Sequence, residues 1–451
     1  MRITRRTLLM GAGVGAVSVL LASCTPDPEP TASPTPTREP QPQPGVPEPA
    51  DRLRSSWTTD PFSYGAVSFT PVGVLAETRS QLARPVVDRV FFAGEATDAD
   101  EPGTMRGAIR SGARAADEVE DLAEAGERIA VIGAGFAGAT VAARLAAADM
   151  QVTVFEARDR IGGRVHSVVD DSWPMPVQLG AWLFGEGDED LRQRMEAWEI
   201  GVVDLPDAQW HGPEGDIEPV DSAPLQAAIT AAQAAPADIS LADALIEAGG
   251  DPEDPSTAAL LAALATTAGA DAAQLSSWFP PALPAAALTG ARDDLTPLVE
   301  DALDGVEVSL SSPISRLAYD DSGVSVRLGT GEALSFDRVV VTVPLGVLQE
   351  QDLEFDPPLP FVNRTAIGAL GMGRIETIWL RFDEAFWDSQ AAIWHTVGAD
   401  VGIRTWINLR PATGENILVG IVGGAAAEEF ADLDDTEALE SAMESLAVYA
   451  S

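Results

Sequence analysis

Lysine is absent from all 451 residues, so the 28 basic residues are arginines. That excludes Schiff-base chemistry with a carbonyl substrate or pyridoxal phosphate, which needs an amine nucleophile. Cysteine occurs once, at Cys24, and histidine three times, at His166, His211 and His395, far apart in the chain. No spacing among them suits a metal site. Positive charge is scarce overall, because 70 acidic residues leave a formal net charge of −42. A surface this acidic repels nucleic acid and anionic lipid head groups, so neither is expected as a partner. It gathers cations, which would help a cationic substrate reach a cleft and equally serves solubility in a salty or crowded medium. The remaining composition is that of a globular protein long enough for two or three domains.

The chain opens on Thr4-Arg5-Arg6-Thr7-Leu8-Leu9, a twin-arginine pattern, followed by an apolar run to Ala22 that is too short for a stable span. Leu21-Ala22-Ser23-Cys24 is similar to a bacterial lipobox, in which Cys24 is lipidated; a plain signal peptide with a chance cysteine is the alternative. Residues 1–24 therefore read as a lipoprotein signal peptide. The expectation is export by the twin-arginine route to an extracytoplasmic place on the bacterial cell membrane, touched only through the lipid anchor. That route carries proteins already folded, often with a cofactor loaded. Residues 25–50 are dense in proline and read as a semi-rigid tether, with a reach of up to roughly 80 Å at ~3.1 Å per residue.

Chemistry enters at Arg128. Arg128-Ile129-Ala130-Val131-Ile132 is a short apolar run fit for a buried parallel strand. Gly133-Ala134-Gly135-Phe136-Ala137-Gly138 follows at once, then an alanine-rich amphipathic helix to about residue 148 and a second strand, Gln151-Val152-Thr153-Val154-Phe155, ending on Glu156. Gly133 permits the tight turn, Gly135 lets backbone approach a pyrophosphate, and Gly138 lets helix and strand pack closely. Glu156 stands where an acid accepts from a ribose hydroxyl, which also disfavours the 2′-phosphate of NADP. A lone GxGxxG is weak, but strand, helix and acid all stand at the expected distances here. Arg158-Asp159-Arg160-Ile161-Gly162-Gly163-Arg164 then resembles the second glycine motif of FAD oxidoreductases, EAxxRxGGR; two more glycines and an arginine can wrap the pyrophosphate from its other side.

From here the sequence resembles the flavin-containing amine oxidase family, which includes monoamine oxidases, polyamine oxidases and flavin-dependent histone demethylases. Gln178-Leu179-Gly180-Ala181-Trp182 looks like the loop that passes the flavin. Pro313-Ile314-Ser315-Arg316-Leu317 and 336–344 resemble late strands of the FAD domain, and 353–360 and Phe386-Trp387 are similarly placed. The family's closing block over the flavin ends the protein in relatives. Here it stands first, as Trp57-Thr58-Thr59-Asp60-Pro61 with Gly65, Phe92-Ala93-Gly94-Glu95-Ala96, and Gly103-Thr104-Met105-Arg106-Gly107-Ala108. A helix over about 103–125 joins it to the dinucleotide strand, and the chain stops about where relatives would enter the Trp57 strand. The order reads as a circular permutation; a domain-swapped dimer and a rearrangement that no longer folds are the other readings.

The resemblance implies an α/β fold with permuted chain order: a Rossmann-type FAD-binding domain plus an α+β substrate domain, the two-domain amine-oxidase architecture. Residues 51–125 would be the flavin-closing segment and 128–190 the dinucleotide-binding part. The helical part of the substrate domain would follow at 191–290, the FAD domain would continue over 291–350, and 351–451 would be the substrate-domain sheet and terminal helix. It further implies that Ile314, Gly94, Gly180, Ala181 and Trp182 line FAD, that Glu95 hydrogen-bonds its ribityl or pyrophosphate region, and that Trp57 flanks the isoalloxazine ring. Thr104 and Met105 would sit at a helix N-terminus near the pyrimidine end, where N–H groups stabilise negative charge.

The departures from the family matter as much. The flavin-linking cysteine of monoamine oxidases is Ala66 here, so FAD should be non-covalent. The two positions that often form an aromatic cage for the amine are Val67 and Thr104, which removes its cation–π contribution. Thr377 falls where the family usually has a lysine linked to the flavin's reaction with oxygen; Arg374 or Glu376 could compensate, though neighbouring strand residues face the other way. Val67, Thr104 and Thr377 are thus the substrate-cleft candidates, and no catalytic acid–base dyad is evident. Trp379, Phe382, Phe386 and Trp406 suggest a sheet lining the cleft, most of them as core. The leading expectation is hydride transfer from the carbon beside a neutral amine to the flavin, with imine hydrolysis. A dehydrogenase or desaturase using another acceptor, and a tethered flavin-fold protein without turnover, are the alternatives.

Overall fold

The computed structural model describes residues 45–185 and 189–450. The arginine pair, Cys24 and most of the proline-rich stretch lie outside them. The described residues belong to the unit Pro40–Ser451.

Arg128–Ile132 and Gln151–Phe155 pair in parallel, with Phe136–Ala147 crossing between them. They are the centre of a five-stranded parallel sheet ordered Glu307–Ser309, Gln151–Phe155, Arg128–Ile132, Arg338–Val341, Val90–Phe92. Its strands carry apolar residues at consecutive positions because both faces are covered. Ile129, Val131, Val154 and Val340 pack under the helices with Ala115, Val119 and Leu145, whereas Ala130, Ile132, Val339 and Val341 meet Leu317, Val326 and Phe336 of a four-stranded mixed layer. The edge strand Val90–Phe92 comes from the segment that precedes the dinucleotide unit in sequence, and it pairs in parallel with Arg338–Val341. The helix that follows it runs Met105–Glu120, shorter than the expected 103–125, because Thr104 caps its start.

A seven-stranded mixed sheet forms the other half: Asp51–Arg54, Ile375–Arg381, Ile417–Gly423, Thr405–Asn408, Ile393–Thr396, Ala208–Gly212, Gly215–Ile217. One face carries Ile375, Trp379, Val419 and Ile421 against Met105, Val165, Trp173 and Trp182. The opposite face carries Ile378, Leu380, Trp394, Trp406 and Leu418 beneath the helices Ala425–Asp432 and Asp435–Leu446. Phe382 and Trp406 therefore pack with this outer layer, and of the four aromatics singled out from the sequence only Trp379 faces the layer of Met105, Val165 and Trp182. On that outer side Val46 is buried with Tyr449 and Ala450, and a Cβ added to Gly45 would stand 2.8 Å from that of Ala450.

The expected helical stretch over 191–290 contains the helices Glu189–Ala197, Ala223–Gln233, Leu241–Glu247 and Pro255–Ala268. It also contains strands at Val202–Leu205, Ala208–Gly212, Gly215–Ile217 and Leu288–Ala291 that the sequence reading missed. Their alternation spans only three to five residues, too short a run for a period of two to stand out.

Candidate active site

Gly133 turns the chain at the end of its strand with φ 109°, and a Cβ there would sit 2.6 Å from Thr342 Oγ1. A Cβ on Gly138 would stand 2.0 Å from the Gly133 carbonyl oxygen, so this glycine sets helix against strand rather than facing the cavity. Gly135 precedes the helix Phe136–Ala147, and no side chain caps that N-terminus. Its first N–H groups are thus available to an anion. The second glycine loop lies directly alongside: Gly162 bridges to Gly135, and its N–H donates to Ala134 O at 2.9 Å. Gly162 and Gly163 hold φ 97° and 60°, values that favour glycine. Arg160 braces this loop, donating to Gly163 O at 2.9 Å, and burial followed by the neighbouring Arg158 charge pulls its guanidinium down to about 10. Glu156 is buried at the strand end, accepting from Ala134 N–H at 2.8 Å and Arg158 N–H at 2.9 Å.

Gly133, Gly135, Glu156, Arg158, Gly162 and Gly163 wall one side of a cavity of about 290 Å³. Ile314 and its neighbours Ser312 to Ser315 close it near Glu156, and Ala66, Gly94, Glu95, Gly103, Thr104, Met105, Arg164 and Ala181 supply the remainder. Glu95 and Gly133 thus line one cavity within one chain. Thr104 Oγ1 accepts from Gly107 N–H at 2.8 Å, so Thr104 and Met105 mark a second helix N-terminus on the cavity wall.

Glu95 is buried and already engaged: it accepts from Ser68 Oγ at 2.6 Å, Gly103 N–H at 2.8 Å and Arg164 at 2.8 Å. Burial alone would raise its carboxyl, but Arg164, Ser68 and Arg79 together hold it below the ordinary range. An ionised carboxylate only accepts hydrogen bonds, so of the two regions expected for Glu95 its chemistry suits a donating ribityl hydroxyl and not a pyrophosphate oxygen; it also orients Arg164. The buried Arg79, which donates to Ser68 Oγ at 2.8 Å, completes this network. Nothing in the sequence singles out Arg79, which sits in a polar stretch that reads as solvent-facing.

Other candidates stand off the cavity wall. Trp182 turns into the apolar layer against Trp379, ring centroids 5.4 Å apart, and Gly180 sits where a Cβ would collide with Arg164 O at 2.1 Å. Both shape the wall from behind, because Ala181 N–H donates to Arg164 O at 2.9 Å. Trp57 also lies behind it, its indole N–H donating to Leu179 O at 2.7 Å and the Arg158 and Arg160 guanidiniums each 6.0 Å from its ring. Val67 packs against Gly103 and Gly269 rather than facing open space. Thr377 is buried, and its Oγ1 has no hydrogen-bond partner among the described residues. Arg374 pairs with Glu428 at 3.0 Å, away from the cavity, so it does not replace the missing lysine.

Two glycine loops, an uncapped helix terminus and an acceptor carboxylate suit a dinucleotide's pyrophosphate and ribose. The cavity's continuation to Ala66, Thr104 and Met105 leaves room for a ring system beyond. Fold and cavity together define a dinucleotide-dependent oxidoreductase. A family model described as flavin containing amine oxidoreductase matches residues 40–120 and 248–450, and one described as NAD(P)-binding Rossmann-like domain matches 131–197. The chain belongs to the flavin containing amine oxidoreductases, and it is an FAD-dependent enzyme of the amine oxidase type.

It is 28% identical over 361 residues to polyamine oxidase 4 of Oryza sativa subsp. japonica, covering 70% of this chain and 72% of the relative. It is 29% identical over 362 residues to polyamine oxidase 2 of Arabidopsis thaliana, covering 70% and 71%. Among solved structures, putrescine oxidase bound to putrescine superposes with a TM-score of 0.58 at 17% identity, covering 72% of this chain and 81% of that one. Cyclohexylamine oxidase from Brevibacterium oxydans gives 0.57 at 20%, covering 71% and 80%.

Proposed function

We propose that this enzyme oxidises the C–N bond of a small amine with non-covalently held FAD, on a circularly permuted chain. The observation that carries the reading is the single cavity walled jointly by residues 66–108 and 133–164. Gly135 and the helix behind it would hold the pyrophosphate, Glu156 the ribose, and the Thr104–Met105 helix start the electron-rich end of the ring. When bound, FAD supplies the hydride acceptor and passes the electrons on. The carbon next to the neutral amine loses a hydride, and water hydrolyses the resulting imine to a carbonyl compound and an amine. The apolar layer of Met105, Val165 and Trp379 excludes water from the adjoining space. Non-covalent attachment follows from Ala66, which offers no nucleophile to the ring.

Support for the permutation comes from the edge strand Val90–Phe92 within the parallel sheet and from the meeting of Gly45 with Ala450. A chain re-ordered as 128–450 followed by 45–125 should bind FAD with an unchanged spectrum. The lipid anchor at Cys24, export by the twin-arginine route and the tether complete the proposal; Cys24→Ala should release the protein from the membrane fraction. The decisive measurement is anaerobic bleaching of the flavin by a panel of amines, including putrescine, longer polyamines and cyclohexylamine. A panel that leaves the flavin oxidised overturns amine oxidation.

Thr377, standing where the family usually has a lysine, favours a second reading, in which the electrons go to an acceptor other than oxygen. Peroxide yield below dye reduction at equal amine consumption supports it, and equal yields reject it.

A further inference from the structure

Glu376 is fully buried on the strand Ile375–Arg381, and among the described residues no cation pairs with it. A carboxyl in that position is costly unless its oxygens are well used. One oxygen accepts from Ser55 Oγ, and the other accepts from Thr58 N–H at 2.7 Å. Ser55 Oγ in turn accepts from Thr377 N–H at 2.8 Å, so its own proton is committed to Glu376. Both partners open the turn that carries Pro61, Phe62 and Ala66 onto the cavity wall. The far part of the turn is fastened to the dinucleotide side, where Arg158 pairs with Asp60 and donates to Ser63 Oγ at 2.8 Å. Its end is tied to the short strand Gly371–Gly373, which leads into that sheet strand, by Ala66 N–H donating to Gly373 O at 2.8 Å.

We infer that Glu376 is a positioning residue, through which the mixed sheet sets the 55–66 turn against the bound cofactor. This rests on FAD occupying the cavity. A carboxylate offers acceptors to both donors, whereas an amide places a donor against one of them. Glu376→Gln and Ser55→Ala, each in the full chain, test it. Both variants should fold and hold FAD in wild-type stoichiometry while altering the flavin's visible band. Anaerobic reduction at saturating amine should slow about tenfold to a hundredfold, with the amine concentration for half-maximal rate little changed. The double variant should be no worse than the more impaired single. A lowered melting temperature with wild-type band and reduction rate, or losses that multiply in the double variant, overturns the inference. Wild-type protein that holds no flavin overturns the FAD reading instead.

Discussion

The two walls of the cofactor cavity are made of different materials. On the dinucleotide side the wall is backbone, namely Gly133, Gly135, Gly162, Gly163 and a helix start with no side-chain cap. The other side, contributed by residues that precede it in sequence, is held by side chains with distant partners: Glu95 with Ser68 and with Arg164 of the dinucleotide side, Arg79 with Ser68, and Ser55 Oγ and Thr58 N–H with Glu376 of the mixed sheet. A backbone wall is specified locally, by which residues can adopt its torsions. A side-chain wall is specified by long-range partners, so losing one member strands the others.

That contrast orders the expected effects. Glu95→Ala leaves Arg79 and Arg164 without their shared counter-charge in a buried setting, and removing one partner of such a set costs about 3–5 kcal/mol. Chemical denaturation should show that loss even without FAD; an unchanged midpoint would mean that solvent reaches the network and the contrast is false. Gly138→Ala forces a methyl into a 2.0 Å approach to Gly133 O, and overpacking of this kind costs roughly 1–3 kcal/mol. Here the displacement also spoils the turn, so FAD content should fall along with the melting temperature.

The same contrast decides what could be read from the sequence. Strand, glycines, helix and Glu156 lie within thirty residues, where spacing reports geometry directly. The partnership of the first segment with the dinucleotide unit was legible through family resemblance alone. Arg79 and Ser68 gave no sign, because their roles depend on Arg164 and Glu95 arriving from other elements. Trp182 shows the opposite failure: it follows Ala181 on the wall, yet its ring turns away into the layer with Trp379. The short strands between 202 and 217 were missed because runs of three to five residues show too little alternation, and two of the three take a partner distant in sequence.

Gly135→Ala separates folding from cofactor binding on the backbone side. A Cβ there meets nothing nearer than Gly162 O at 3.8 Å, and the residue's φ of −83° suits any side chain. The apo-protein melting temperature should therefore be unchanged. The methyl projects toward the space assigned to the pyrophosphate, so FAD affinity should fall about tenfold, which is ~1.4 kcal/mol. Unchanged affinity, read by flavin fluorescence during titration of the apo-protein, would show that the pyrophosphate does not lie against this turn.

The smallest effect concerns the seam between the walls. Burial first, then the Arg160 and Arg158 charges, holds the His166 imidazole down at about 4, while burial pulls His395 to about 4 as well. The folded protein then binds fewer protons than the unfolded chain between the ordinary 6.5 and about 4. Stability from both is fully present above the unfolded value and is lost as pH falls through that window. The two histidines differ in place: His166 stands edge-on to Trp57 at 6.4 Å, whereas His395 lies against Trp210 at 4.3 Å in the mixed sheet. His395→Gln should flatten the acid limb of the melting-temperature profile and leave the pH of FAD release where it was. His166→Gln should flatten the limb and also move FAD release to lower pH, because the protonated imidazole adds a third cation beside Arg158 and Arg160 at the seam. If both substitutions flatten the limb equally and neither moves FAD release, the seam has no electrostatic hold on the cofactor, and the two walls respond to acid as one structure.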